Sequence, residues 1–428
     1  MWCGVGGSRR LSPTRSAAER PKTACGPSPE ARSLLVFLRL FAALWLSPGT
    51  VAAQQPGLSG YYLNLATHVQ ESVLGPAGAS DVQRLRLMWN ASPGPVRLEA
   101  AYEQTLTLRQ AGSPGAQLFT TAGTVSGGDW FSLGGEIESG ERAEWRHRFD
   151  RLNLRLDLGG SADLTVGRQP VSWATTLVLT PADPFSPFDP ADPFREYRIG
   201  VDAARLRYYR GAFTQFEVVA RPARIGERET LTLLGRASTN ATGWDVGGWA
   251  GVVHDTFGAA AFLSGAVGLW ALRAEAAVRD LDGRTSVRTA IGLDRTFPIA
   301  ERDLYIVIEY QHDGMGATSP DELLAAATGR AFAQSEMQVL GRDTGVLQLS
   351  YPLHPLVSAS ALWLGSLRDG SFLVSPGLGY SATESLGLRL GAFFGLGDEP
   401  VASGPTWTLT SEYGALPRVL FVSANWFF

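Results

Sequence analysis

The residues best suited to acid–base or metal chemistry in this 428-residue chain are five histidines, His68, His147, His254, His312 and His354. They are scattered. No His-Glu-x-x-His pair shares a helix face and no cysteine stands beside one, so a zinc or zinc-protease site is not expected. There is no Gly-x-Ser-x-Gly elbow and no phosphate-binding loop. Asp183, Asp189 and Asp192 crowd into one proline-rich stretch and could hold Ca²⁺ through carboxylate and carbonyl oxygens; turn caps ahead of proline are the preferred reading. Asn90-Ala91-Ser92 and Asn240-Ala241-Thr242 match a glycosylation acceptor, a pattern short enough to arise by chance. The expectation is a protein that is not an enzyme and carries no cofactor or metal.

Arginine shows more order. In Leu152-Asn153-Leu154-Arg155-Leu156-Asp157-Leu158 four leucines share one face and Asn, Arg and Asp the other. Leu85, Leu87 and Trp89 oppose Arg84 and Arg86; Val96, Leu98, Ala100 and Tyr102 oppose Arg97, Glu99 and Glu103; Leu206 and Tyr208 oppose Arg205 and Arg207. A period of two is the signature of a strand with two different environments. Arg84, Arg86, Arg97, Arg155, Arg205 and Arg207, with Glu99, Glu103 and Asp157, therefore fall on one polar face. Arginines interspersed with carboxylates create a transverse field across a pore and can favour anions; the plainer alternative is mutual neutralisation as structural salt bridges. Arg168 shares parity with Leu164 and Val166, and reaches the polar face only if Gly167 or Pro170 introduces a bulge.

Composition narrows what these strands can build. The chain has 49 Gly, 12 Trp, 20 Phe and 11 Tyr, only 18% charged residues, and a mean hydropathy near zero. A soluble domain carries roughly 25% charge, and disorder needs far fewer aromatics. No apolar run reaches the roughly 18–20 residues of a membrane helix. Alternation recurs in about eighteen segments, near 58–70, 80–91, 95–108, 143–158, 161–171, 200–209, 212–222, 229–238 and 243–253, then 257–267, 269–279, 285–296, 303–312, 338–351, 355–366, 371–380, 384–396 and 417–428. The long connections 109–142, 172–199, 313–337 and 397–416 all follow odd segments, while even segments end in short turns such as Ser92-Pro93-Gly94 and Gly159-Gly160. Outer-membrane barrels show this asymmetry. The expected fold is all-β: one transmembrane antiparallel barrel of about 18 strands, with 16 as the alternative. Tyr61, Tyr62, Trp89, Trp145, Tyr208, Tyr209, Trp249, Tyr310, Tyr351, Trp363 and Trp426 lie near segment ends, as interfacial girdles require.

The first 53 residues differ. Leu34–Leu46 is apolar apart from Arg39, and Val51-Ala52-Ala53 follows. This is the plan of a cleavable signal peptide, so 1–53 is expected to be an N-terminal extension and signal and 54–428 the barrel. The stretch before residue 31 exceeds what a signal needs, which points to a translation start downstream of Met1. Of 37 basic and 41 acidic residues, seven and two lie in this segment, leaving 30 against 39, a net of −9. Both cysteines, Cys3 and Cys25, and the single lysine, Lys22, are also there.

Two segments break the strand pattern. Ser319–Gly329 reads as a short helix in an external loop, with Ser319 as N-cap, Pro320 at the first turn, Glu322 completing a capping box and Gly329 as the stop. It is taken as a loop ornament, with a partial plug as the alternative. Gly167-Arg168-Gln169 and Trp173 precede Pro-Ala-Asp-Pro-Phe, which occurs at 181–185 and again at 190–194. Such proline density excludes strand and helix and lowers the entropy cost of ordering a loop. Phe185, Phe188 and Phe194 then need apolar cover, which a loop folded into the barrel mouth supplies.

The run Gly-Arg-Gln, Trp, Pro-x-Asp-Pro-Phe resembles porin-like outer-membrane families, whose barrels carry a Gly-Arg-Gln strand end and a proline-rich loop. Alginate-export barrels are similar in general plan. Those families often have Gly after the tryptophan, where this chain has Ala174. The alternation Leu420, Val422, Ala424, Trp426, Phe428 looks like the final-strand signal read by the barrel-assembly machinery. The resemblance supports the architecture of a Gram-negative outer-membrane barrel and says little about the substrate. The polar inner face is what motivates the expectation of porin-like, passive passage of small polar or anionic solutes. The expected constriction involves Trp173, Asp183, Phe185, Phe188, Asp189 and Asp192. Expected partners are outer-membrane lipids, the assembly machinery and small solutes, not nucleic acid. The alternatives are an adhesion barrel with a plugged lumen and an outer-membrane lipid hydrolase using His147 or His254.

Overall fold

The computed structural model describes residues 57–73, 75–111, 128–185, 194, 197–281, 283–403 and 406–428. The expected signal peptide and Phe188, Asp189 and Asp192 lie outside the described residues.

Strands β1 (Gly57–Val69), β2 (Gly78–Ala91), β3 (Val96–Arg109), β4 (Gly134–Ser139), β5 (Ala143–Asp157), β6 (Ala162–Gln169) and β7 (Val201–Arg210) open the sheet. It continues through β8 (Thr214–Ile225), β9 (Arg228–Ala241), β10 (Trp244–Val253), β11 (Thr256–Val267), β12 (Trp270–Leu281), β13 (Arg284–Ile299) and β14 (Arg302–Asp313). After helices α1 (Leu323–Thr328) and α2 (Arg330–Ala333) come β15 (Asp343–His354), β16 (Val357–Ser366), β17 (Phe372–Ser381) and β18 (Leu386–Leu396). A small hairpin, β19 (Val401–Ser403) with β20 (Thr406–Thr408), precedes the last strand, β21 (Val419–Phe427).

Every pairing among these strands is antiparallel, and β21 pairs with both β18 and β1, so an 18-strand sheet closes on itself. Closure leaves no free strand edge in lipid, where an unpaired backbone group costs several kcal/mol. The long connections do follow odd barrel strands, and the turns on the opposite side are short. Alternation sorts the side chains as read: Leu206 and Tyr208 are 42% and 47% exposed on the outer wall, while Arg205 and Arg207 between them pair inside. Outward Leu231, Leu233, Leu420 and Val422 continue the apolar band.

Three features depart from simple alternation. Ala101 faces Arg151 and Tyr102 faces Phe149, so Asp150 is an unopposed bulge residue. The bulge switches the phase of β5, and Asp150 and Arg151 are both buried. Second, β4 is a nineteenth strand in the same sheet. It pairs with residues 144–148 of β5, whereas β6 pairs with 152–157. The strand thus covers the edge of β5 above the point where β6 ends and the chain turns inward. Third, the inner wall is not uniformly polar. Tyr61, Leu63, Leu65 and Val69 of β1 join Leu364, Leu373, Phe393 and Phe421 in one buried cluster, and Val201, Val219, Leu234 and Trp249 form another. Tyr61 and Trp249, read as girdle aromatics, belong instead to these internal clusters, because the infolded loops supply them with apolar partners.

Candidate functional site

The segment 170–185 leaves the wall at the Gly-Arg-Gln strand end and enters the lumen, and residues 194 and 197–200 belong to its other end. Gly167 has φ 113°, and a Cβ there would lie 2.3 Å from the Leu152 carbonyl oxygen, so only glycine fits. Arg168 meets its cross-strand partner Asp202 in a bidentate pair, Nε and Nη2 each 2.8 Å from a carboxylate oxygen. It also donates to the carbonyls of Phe131 and Phe149. Asp202 in turn accepts the amides of Trp130 and Phe131, both at 2.9 Å. The pairing of Arg168 with Leu152 is regular, so the bulge considered for it is not used; the segment 129–133 buries it instead. Gln169 Nε2 donates to the carbonyls of Thr165 and Ala203 at 3.2 and 2.9 Å. The motif is a clamp that holds the wall together where the strand pair is interrupted.

Beyond the clamp the loop is fastened by wall carboxylates. Glu275 on β12 accepts the amides of Thr175, Thr176 (2.8 Å) and Ala182 (3.0 Å). Glu309 on β14 accepts those of Leu177 (2.6 Å), Val178 (3.0 Å) and Leu179 (2.9 Å). Six amides of a loop that can form no ladder are thereby satisfied by two side chains, which meets the rule that buried backbone donors find acceptors. Trp173 donates to Glu217 at 2.7 Å and lies edge-on to Phe185, with ring centroids 4.8 Å apart. Trp249 donates to the carbonyl of Ala182. At the far end Phe194 packs edge-on against Phe421 and Tyr197 stacks on Tyr61. Asp183 accepts Ser172 Oγ, Arg198 and the Phe185 amide, so its oxygens serve the turn.

The polar-face residues named from sequence occupy two neighbouring groups. Arg86 reaches Asp150 at 2.6 Å and Glu103 at 3.4 Å, and Arg148 also pairs with Glu103. Arg84 donates to the carbonyl of Phe194, tying the wall to the loop. Arg155 and Arg207 share Asp163, and Arg205 forms a bidentate pair with Glu217. Glu99 accepts Asn153, and Asp157 caps the turn at Gly160; Arg97 is exposed near the short-turn side. Arg148, Asp150, Asp163, Glu217, Glu275 and Glu309 were not singled out from sequence. Parity within β8, β12 and β14 was the available signal, but Glu217, Glu275 and Glu309 each sit between apolar neighbours and carry no motif.

A second loop, 314–342, folds in over the first. Its turn Pro320–Glu322 and α1 form the expected short helix, ended at Gly329 in extended conformation, and α2 adds one further turn beyond it. Ser319 makes no side-chain cap; Glu322 reaches Thr318 instead. Arg279 holds Glu336 with two bonds of 2.8 Å, Arg288 joins Asp313, the Pro181 carbonyl and the Glu336 carbonyl, and Gln338 bonds Thr180 and Val178. The insert is therefore built into the mouth, beyond a surface ornament. A third loop is docked through Glu412, which accepts the amides of Leu340 and Gly341 at 2.7 and 3.0 Å. Burial, reinforced by nearby Asp369, pushes the Glu412 carboxyl up to about 7 against the pull of those amides.

Two cavities open among these groups, and the smaller one lies against the crossing loop at Thr175. On the long-loop side a cavity of about 510 Å³ is lined by Arg84, Glu103, Arg146 and Arg148 and by the 128–136 segment. On the short-turn side a cavity of about 360 Å³ is lined by Arg236, Arg273, Thr175, Ser238, Ser264 and Phe262. Arg273 pairs with Asp294. Arg236 has aromatic neighbours, Phe262 at 4.8 Å and Trp173 at 5.9 Å, and its Nε is buried without a hydrogen bond among the described residues. Of the two histidines considered for hydrolysis, His147 lies beside Tyr102 and lines the larger cavity, and His254 is fully buried.

No protein-family model and no curated protein matches the sequence. Solved structures do match in shape. OccAB1 of Acinetobacter baumannii aligns with TM-score 0.54 at 8% identity over 90% of this chain and 98% of its own. A BenF-like porin from Pseudomonas fluorescens Pf-5 gives 0.51 at 10% identity over 88% and 98%. OpdK of Pseudomonas aeruginosa with vanillate gives 0.50 at 10% identity over 87% and 98%. The chain shares its fold with these outer-membrane porin barrels.

Proposed function

We propose that the protein is an outer-membrane channel for passive passage of small polar or anionic solutes. The observation that carries this reading is the crossing loop: it is pinned to one side of the lumen by Glu275 and Glu309, and a cavity lined by Arg236 and Arg273 lies against its Thr175. An eighteen-strand barrel leaves room for a channel, and a fixed loop narrows it without sealing it. Selectivity follows from which charges stay available. The carboxylates of Glu217, Glu275, Glu309 and Asp163 are spent on arginines and loop amides, whereas Arg236 keeps no carboxylate partner among the described residues. A guanidinium flanked by aromatic rings suits a small anion with an apolar body. OpdK, with vanillate, is consistent with that class.

On the same reading, residues 1–53 direct export and are removed, the apolar outer band meets lipid, and the C-terminal strand is the assembly signal. Liposome swelling tests the proposal: proteoliposomes in isotonic small carboxylates should swell faster than protein-free ones. Equal rates with every solute would overturn it. A plugged, adhesive barrel has one observation in its favour, the bonding of Gln338 to the crossing loop. In that case removal of 320–333 would be needed before any swelling occurred.

A further inference from the structure

His254 is a buried titratable group for which passage of solutes supplies no role. It sits in the two-residue turn between β10 and β11, on the long-loop side, with φ 47°. Thr230 Oγ1 meets its Nδ1 at 2.9 Å, Thr232 Oγ1 accepts its amide at 3.1 Å, and Arg330 of α2 donates to its carbonyl at 3.2 Å. Its Nε2 is buried with no hydrogen-bond partner among the described residues. The charges that bear on it most strongly are cationic: Arg221 of β8, Arg279 of β12, Arg330 of the insert and Arg228 of β9. The nearby carboxylates are committed elsewhere, Glu336 to Arg279 and Asp255 to the Leu231 amide.

We propose that His254 is a proton-operated latch: neutral, it seats the helical insert 320–333 in the barrel mouth, and its protonation releases the insert toward the outside. This deepens the channel reading and rests on it for its consequence, a mouth that opens in acid. An imidazolium in this pocket would be a fifth cation with no anion to meet it, and the insert contributes one of the four others. Swinging the insert away removes Arg330 and admits water to the rest. Burial, then the four guanidinium groups, lowers the imidazole from 6.5 to about 3 while the insert is docked. The undocked turn titrates near 6.5. Between those values the docked state binds fewer protons, so docking weakens as pH falls, by about tenfold per unit. At pH 4.5 the docking constant should be about 100-fold below its value at pH 7.5.

The test is a distance between two nitroxides, in proteoliposomes, with Cys3 and Cys25 replaced by serine. One label goes on Ala325→Cys in the insert and the other on Glu227→Cys in the exposed β8–β9 turn. The expected result is one sharp distance at pH 7.5 and a long, broad distribution at pH 4.5, with the sharp peak kept at both values in His254→Asn. Asparagine is chosen because it tolerates the left-handed backbone of this turn. Arg330→Gln, which removes the seat without touching the turn, should broaden the distribution already at pH 7.5. An unchanged distance at pH 4.5, or a change that persists in His254→Asn, would overturn the latch. Labels that move in liposomes showing no solute flux at either pH would leave the latch standing and overturn the channel reading.

Discussion

Leu179 and Glu309, 130 residues apart, meet inside the barrel with the leucine amide 2.9 Å from the carboxylate. Glu309 takes two further amides and Glu275 three more, so the crossing loop is held by acceptors on β12 and β14, two near strands on one side of the wall. The same bonds set the electrostatics. Carboxylates that would otherwise repel an anion are turned toward amide dipoles, and Arg236 is left to act on whatever passes.

Glu309→Ala should therefore both loosen and widen the channel. Three buried amides would lose their acceptor, at a cost on the order of 3 kcal/mol or more. Single-channel recording should show a larger, noisier conductance, and Glu309→Gln, with one acceptor oxygen left, an intermediate one. A parent-like trace from Glu309→Ala would show that the loop is held by other contacts.

Gly167→Ala tests the clamp from the backbone side. The added methyl would fall on the Leu152 carbonyl at a φ that L residues rarely adopt, which should cost about 2–3 kcal/mol. Heat-modifiability on gels reads barrel unfolding directly, and the variant should convert at a clearly lower temperature. Gly226→Ala, at an open turn with positive φ and nothing within 4 Å, should shift far less.

The Arg168–Asp202 pair should behave as a unit. Removing Arg168 leaves the buried Asp202 charge uncompensated, at about 3–5 kcal/mol, and removing Asp202 leaves Arg168 with the more exposed Asp129 at 3.2 Å, whereas Arg168→Met with Asp202→Leu should recover much of the loss. Unfolding in urea for the four members of that cycle gives the coupling. Strictly additive single losses would mean that the two residues act independently.

Glu412 makes docking of the third loop pH-dependent in the sense opposite to His254. Its carboxyl is raised in the docked state to about 7, so the docked state holds a proton that the free loop has lost above the ordinary value. Docking is then fully supported at low pH, weakens as pH rises from about 4.5, and levels off above about 7. Hydrogen exchange at the Leu340 and Gly341 amides, corrected for its intrinsic pH dependence, should show protection falling over that interval. Glu412→Gln should flatten the curve.

Strand number, strand order and the side of the long loops were legible because alternation and turn chemistry are local. Leu206, Arg207 and Tyr208 declare their faces without reference to the rest of the chain. What fills the barrel was not legible. Glu275 and Glu309 look like ordinary inward charges until the loop backbone is placed against them. The Asp150 bulge and β4 depend on pairing partners far away in sequence. Tyr61 and Trp249 sit where girdle aromatics would, and only the infolded loops reveal that they point inward. For Arg168 parity was informative: the residue does not break alternation, and its burial comes from segment 129–133, which no local pattern announces.

The most direct test of the central claim is the zero-current potential across a planar bilayer separating dilute from concentrated KCl. A barrel in which Glu217, Glu275 and Glu309 are spent and Arg236 stays available in the short-turn-side cavity should conduct. It should give a potential of the sign set by chloride preference, and Arg236→Ala should reduce that potential toward zero. A barrel that never conducts, or one that prefers potassium, would contradict the account.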